Sequence, residues 1–223
     1  LQVEDYQTIL EQAKYISAVS PSVNSAGQFI NGNNNYPSTI YGITPDYLDI
    51  RKVKIQDGIM FSEQDIKSAA KVCLLGKTVI DNLFPNGEDP VGRVVRFNKI
   101  PFTVIGTLEP KGTNSMGMDQ DDVVLAPYTT IMKRVLAIDY IQSLFASAKD
   151  ESLTDQAIDE VTGILRANHK LKDNADDDFT IRSQQELSQM MNSTSDMMTM
   201  LLACIAGISL LVGGIGIMNI MYV

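Results

Sequence analysis

The stretch that decides the fold is the last part of the chain, Met197–Val223, which reads MMTMLLACIAGISLLVGGIGIMNIMYV. It contains no Asp, Glu, Lys, Arg or His, and the last charged residue before it is Asp196. A helix needs roughly 20 apolar residues to cross the hydrocarbon core of a bilayer. A buried core helix is the alternative, but a core helix of this length usually keeps a polar face. We therefore predict a transmembrane helix over 197–223.

The same helix is predicted to begin well before the apolar run. Ser183 and Glu186 are three residues apart at a potential helix start, which is the spacing of a capping box. Apolar residues from Leu187 onward then recur at helical spacing. The pattern predicts one helix of about 40 residues, or roughly 60 Å at 1.5 Å per residue. About half of that length fits the hydrocarbon, so residues 184–196 are predicted to form a stalk outside it.

Charge indicates on which side of the membrane the rest of the chain lies. No Lys or Arg follows Arg182, and the acidic residues Asp173 and 176–178 precede the span. Because positive residues mark the cytoplasmic flank of a span, we expect residues 1–196 outside the cytoplasm. Residues 1–5 do not resemble a signal peptide, so we expect export to depend on sequence upstream. The net charge of −9 argues against nucleic acid as a partner.

Residues 1–183 alternate between helical and extended patterns, which predicts an α+β fold. A first helix is expected from the apolar spacing of Tyr6 to Ile16, with Ser20-Pro21 as its end. Residues 46–137 are mostly strands and turns, with Asn98-Lys99 as a tight turn, and a helix is expected over 154–168. Residues 1–45 and 138–183 mix helices and strands. Residues 179–181 are expected to form a short strand.

Motifs that would carry chemistry are weak. Gly76-Lys77-Thr78 resembles the end of a phosphate-binding loop, but Lys71 stands where that motif needs Gly. His169, the only histidine, is better explained by a favourable contact at a helix C-terminus. The aspartates near 173–178 lack the ligand spacing of a calcium loop. We therefore predict no catalytic residue, no metal site and no cofactor.

Small residues in the apolar run indicate close packing against other helices. They recur four residues apart, as in Ala203/Gly207 and Ser209/Gly213. In lipid, small residues let helix backbones approach each other. The alternative is that glycine is simply common in membrane helices. The predicted packing residues are Ala203, Gly207, Ser209, Gly213, Gly214 and Gly216.

Several short motifs, in their order and spacing, resemble one family. They are Tyr41-Gly42-Ile43-Thr44-Pro45-Asp46-Tyr47, Asp57-Gly58-Ile59-Met60-Phe61, Leu74-Leu75-Gly76 with Leu83-Phe84-Pro85, Asp89-Pro90-Val91-Gly92, Phe102-Thr103-Val104-Ile105-Gly106, and the run from Ile205 to Met221. Together they are similar to the periplasmic core of MacB-type ABC transporter permeases, of the FtsX-like superfamily, followed by the start of a membrane helix.

The resemblance implies a two-lobed periplasmic domain in the bacterial inner membrane, in which 1–45 and 138–183 form a mixed α/β lobe and 46–137 an inserted mainly β lobe. It implies as partners an ABC ATPase domain or subunit, a second permease protomer, a periplasmic adaptor and an outer-membrane channel. The implied role is to carry ATP-driven movement to the periplasm for efflux. Other members of the superfamily regulate cell-wall hydrolases or release lipoproteins, so a signalling or interaction role is the alternative. A third is a membrane-anchored binding module.

Overall fold

The computed structural model describes residues 1–114, 117–172 and 175–221, and the side chains of all of these except 216 and 219–221. These residues fall into two compact units, which divide between Asp177 and Asp178. The α-helices are α1 (Val3–Gln12), α2 (Asp46–Arg51), α3 (Glu63–Ser68), α4 (Lys77–Leu83), α5 (Tyr128–Thr130), α6 (Thr154–Asn168) and α7 (Gln184–Met221). A π-helix, Ile131–Leu136, continues α5, and a 3-10 turn, Glu151–Leu153, precedes α6.

Eight strands form one sheet in the first unit. They are β1 (Ile16–Asn31), β2 (Asn34–Ile43), β3 (Ile55–Gly58), β4 (Val72–Leu75), β5 (Val94–Phe97), β6 (Ile100–Leu108), β7 (Val124–Pro127) and β8 (Ser143–Ala148). Six of them follow the order β2-β7-β4-β6-β5-β1, and β1 also pairs with β2, so the sheet closes on itself. β8 extends the first half of β1, and β3 pairs with β6. The mixed α/β fold predicted from the sequence is confirmed.

Two hydrophobic clusters cover the two faces of this sheet. Leu75 and Val124 lie in the cluster that also contains Phe29 and Phe97, whose ring centroids are 4.7 Å apart. Their chain neighbours Leu74 and Leu125 belong instead to the other cluster. Successive side chains of a strand point to opposite faces, so a short apolar run can supply both cores. That is why these strands read as continuous apolar runs in the sequence.

The first helix is shorter than its apolar spacing indicated. α1 ends at Gln12, and Ile16 begins β1 instead of completing a helical stripe. Ser20-Pro21, expected to end a helix, lies inside β1. Pro21 pairs with Leu144 of β8, and pairing with β2 begins only at Val23. β1 is therefore an edge strand at Pro21, and proline is tolerated on edge strands because the side without an N–H can face away from the ladder. The prediction was wrong here because strand pairing with distant segments outweighs local helical spacing.

The remaining elements agree with the sequence more closely. α6 covers residues 154–168, as predicted. Asn98 and Lys99 connect β5 to β6 with positive φ values of 46° and 76°, the conformation of a tight hairpin turn. Residues 179–181 have no strand assignment, so that prediction was wrong; β propensity over three residues is a weak guide. The division of the first unit into two lobes stays a prediction, and strands from both parts share the sheet.

Candidate functional site

α7 is the feature of the second unit with the clearest functional meaning. It is 38 residues long, which is about 57 Å at 1.5 Å per residue. Within the described residues it is the one helix that is long and apolar enough to cross a membrane. Its large apolar side chains are exposed, including Leu210 at 78% and Met197 at 71%. Such a surface suits lipid or other membrane helices and not water.

The start of α7 carries a reciprocal pair of hydrogen bonds. The backbone N–H of Ser183 donates to Glu186 Oε2 at 3.0 Å, and the backbone N–H of Glu186 donates to Ser183 Oγ at 3.1 Å. Helices begin with unsatisfied N–H groups, and this arrangement satisfies two of them. The cap sets the point at which the long helix begins.

The small residues predicted to pack against other helices fall on two sides of α7. At 100° per residue, Ala203, Gly207 and Gly214 share one side, while Ser209 and Gly213 lie about 120° away. Gly207, Gly213 and Gly214 have open space around their Cα atoms. The surroundings of Gly216 lie outside the described residues. The packing role of all six stays a prediction, and the helix has room for partners on both sides.

A buried carboxylate joins the first and last helices of the first unit, α1 and α6. The side chain of Asp5 is 3% exposed, and its Oδ2 lies 3.0 Å from His169 Nε2. Asn168 Nδ2 donates to Asp5 Oδ1 at 3.1 Å, and the backbone N–H of Gln2 donates to Oδ2 at 2.7 Å. His169 lies at the C-terminus of α6 as expected, but the partner of its ring belongs to a different helix.

These contacts decide the charge state of Asp5. Burial alone would raise the pKa of this carboxyl, but hydrogen bonds from Gln2, His169 and Asn168 together hold the pKa below its ordinary value. Asp5 is therefore ionised at neutral pH. Sequence reasoning missed this residue because Asp in a first helical turn is ordinarily explained by the helix dipole. Only its position on the same helical face as the buried Ile9, one turn later, hinted at burial.

A second carboxylate, that of Glu160 in the middle of α6, contacts the residues that follow the C-terminus of α1. Glu160 accepts hydrogen bonds from the backbone N–H groups of Lys14 and Tyr15, at 2.9 and 3.0 Å. Although partial desolvation opposes it, these bonds and the nearby lysines lower the pKa of Glu160. Since Asp5 meets His169 while Lys14 meets Glu160, the two helices run antiparallel. We call the two contacts together the α1–α6 clamp.

The glycine–lysine–threonine motif has a structural explanation. A Cβ atom at Gly76 would lie 2.2 Å from the carbonyl oxygen of Asp121, so only glycine fits where α4 begins. Lys77 Nζ binds Asp81 at 2.6 Å, and Thr78 Oγ1 donates to Asp119 Oδ2. In the described part of the chain, no three His, Cys, Asp or Glu side chains gather as metal ligands would. Asp173, the first of the aspartates at 173–178 considered as calcium ligands, lies outside the described residues.

Comparison with known proteins identifies the family. The family model of the MacB-like periplasmic core domain matches residues 1–164. The chain belongs to this family. The predicted location is thereby confirmed: residues 1–164 are a periplasmic core domain of an inner-membrane permease, and α7 follows that domain in the chain.

Individual MacB proteins give the same result over nearly the whole chain. "Macrolide export ATP-binding/permease protein MacB" of Rhodospirillum rubrum is 40% identical over 93% of this chain, and that of Chlorobium luteolum is 40% identical over 99%. The crystal structure of the periplasmic region of MacB from Actinobacillus actinomycetemcomitans has a TM-score of 0.72 at 27% identity, covering 86% of this chain and 83% of that one. The chain spans about a third of the length of the two full relatives.

A more distant structure shares the fold alone. The extracellular domain of the noncanonic ABC-type transporter YknZ, from Gram-positive bacteria, matches with a TM-score of 0.66 at 20% identity. It covers 77% of this chain and 86% of that one. The chain is a MacB-type periplasmic domain of an ABC permease, and it shares its fold with this extracellular domain.

Proposed function

We propose that this MacB-type domain transmits ATP-driven movement across the membrane to the periplasm during efflux. The expected cargo is a drug, peptide or lipid-like molecule, which leaves through a periplasmic adaptor and an outer-membrane channel. ATP hydrolysis is assigned to an ABC ATPase domain or subunit outside residues 1–223. A second permease protomer completes the membrane part.

The observation that carries the proposal is the continuity of α7. A single capped helix extends without interruption from the polar residues after Ser183 to Met221, near the end of the apolar run. A stiff element of this length moves as one piece, whereas a flexible connection would absorb movement at the membrane surface. The MacB relatives, by their names, combine ATP-binding and permease parts, which supports an ATP-driven partner.

The continuity of α7 can be tested without changing its length. Residues 192–195 read Asn-Ser-Thr-Ser and are exposed. Replacing all four by glycine in the full-length transporter disfavours the helix by about 4 kcal/mol relative to replacing all four by alanine. We expect the glycine variant to lose most of its export of a macrolide while its ATPase activity persists, and the alanine variant to retain both activities. Equal export by the two variants would contradict mechanical transmission through α7.

A further inference from the structure

One region of the closed sheet, on β1, β2, β5 and β6, has exposed side chains and lacks carboxylates, although the chain as a whole has a net charge of −9. No Asp or Glu occurs between Glu11 and Asp46, or between Asp89 and Glu109. These two segments form β1, β2, β5 and β6, which are neighbours in the sheet. Acidic residues are thus absent from the strands and from the turns that join them.

Cross-strand register shows which residues share one face of this region. Ile30 of β1 lies opposite Asn35 of β2 on one side and Arg96 of β5 on the other, and Arg96 lies opposite Pro101 of β6. Directly opposed residues in antiparallel strands point to the same side of the sheet. All four are exposed. They form one row of side chains across four strands.

A second row lies next to the first. Val94 is two residues before Arg96 and therefore on the same face, and it pairs with Thr103 of β6. Val94 is 52% exposed and Ile30 is 37% exposed. We call the two rows together the β1–β5 face. Its composition, apolar side chains with arginine and no carboxylate, is that of the central part of protein interfaces, where arginine is enriched and Asp and Glu are depleted.

The cations of this region are available for an acidic partner. Arg96 lies in the first row, and Lys99 is at the β5–β6 turn. Arg93 immediately precedes β5. Among the residues that the structure describes, none of the three has a carboxylate oxygen within 4.0 Å. An uncompensated positive region on an acidic protein attracts a surface of opposite charge and repels surfaces of its own sign.

We propose that the β1–β5 face binds a second protein that presents carboxylates around a small apolar contact. A second copy of this chain fits less well, since a symmetric dimer through this face would place Arg96 near its own copy. Anionic lipid also fits less well, because lipid-binding clusters usually hold four to eight cations. The inference goes beyond the proposed function. It requires only that the face lies in the periplasm, and it does not depend on which cargo is exported.

Photocrosslinking in the full-length transporter tests the proposal. In one variant, Val94 is replaced by p-benzoylphenylalanine. In a matched control variant, Tyr140 is replaced by the same residue; Tyr140 is similarly exposed, at 49%, but lies outside this face. After irradiation of intact cells, we expect an adduct with one other protein from position 94 and not from position 140. Mass spectrometry should show more Asp and Glu than Lys and Arg in the cross-linked peptide of the partner.

A charge-reversal variant then tests whether the contact between the β1–β5 face and its partner depends on the positive charge of Arg96. Combined with the probe at position 94, Arg96→Glu is expected to lower the adduct yield at least about fivefold, whereas Arg134→Glu, at an exposed arginine elsewhere, leaves it unchanged. Yields are normalised to the amount of transporter in the membrane, and Arg96→Gln serves if the reversal lowers that amount. The proposal is overturned by no adduct, by an adduct only with lipid or a second copy, or by a yield insensitive to Arg96.

Discussion

Replacing Asp5 by Asn removes the charge from the α1–α6 clamp while keeping the shape of the side chain. Asp5 is 3% exposed and accepts hydrogen bonds from Gln2, Asn168 and His169. Hydrogen bonds to a charged group contribute about 1.5–3 kcal/mol each, and removing one partner of a buried ion pair costs about 3–5 kcal/mol. Asn retains one acceptor oxygen, so we expect a loss of about 3 kcal/mol in the free energy of unfolding.

The assay is urea unfolding of residues 1–177, the first compact unit, followed by far-ultraviolet circular dichroism. With a slope of about 2 kcal/mol per molar urea, a loss of about 3 kcal/mol lowers the midpoint by roughly 1.5 M. Glu4→Gln is the matched control, since Glu4 is an exposed acid in the same helical turn. It should cost less than about 1 kcal/mol.

The pH dependence follows from the lowered pKa of Asp5. A group whose pKa is lower in the folded state stabilises the fold above its ordinary pKa of 3.8, and that contribution is lost as pH falls through the lowered value. The difference between wild type and Asp5→Asn should therefore be full at neutral pH and shrink below about pH 4. If Asp5→Asn unfolds at the same urea concentration as Glu4→Gln at pH 7, the clamp does not stabilise the domain.

Two further predictions concern glycines. Gly76→Ala should lower the free energy of unfolding by about 2–3 kcal/mol, because its Cβ would collide with the backbone of Asp121, whereas Gly163→Ala, in open space on α6, should raise it by about 0.5–1 kcal/mol in the same urea assay. In the membrane, Gly207→Leu should weaken self-association of α7 in a bacterial transmembrane-helix reporter assay, since bulk at the small-residue position separates the backbones, whereas Leu201→Ala, about 120° around the helix from Gly207, should not. Equal signals from these last two variants would remove the case for packing through Gly207.

Much of the fold could be predicted where local patterns agree with the final structure. α6 and the turn at Asn98-Lys99 were found from the sequence because helical spacing and turn residues act over a few positions. The first helix was overextended because Ile16 fits a helical stripe as well as a strand. What decides its state is pairing with β8, more than 100 residues later in the chain.

Of the candidate site, too, only the part that depends on neighbouring residues could be predicted from the sequence. The start of α7 was predicted, since Ser183 and Glu186 are three residues apart. The α1–α6 clamp was not, because its partners are separated by more than 140 residues and each taken alone has an ordinary explanation. The acid-free segments are visible in the sequence, but only strand register shows that Ile30, Arg96 and Val94 share one exposed face.

By itself, the sequence determined the long apolar helix and the absence of charge from Met197 onward, since a bilayer selects for length and composition, and both can be counted along the chain. Only the tertiary structure decided the closed sheet, the clamp and the face around Arg96. These depend on which distant residues become neighbours, and that is settled by the packing of the whole domain, not by any local stretch of the chain.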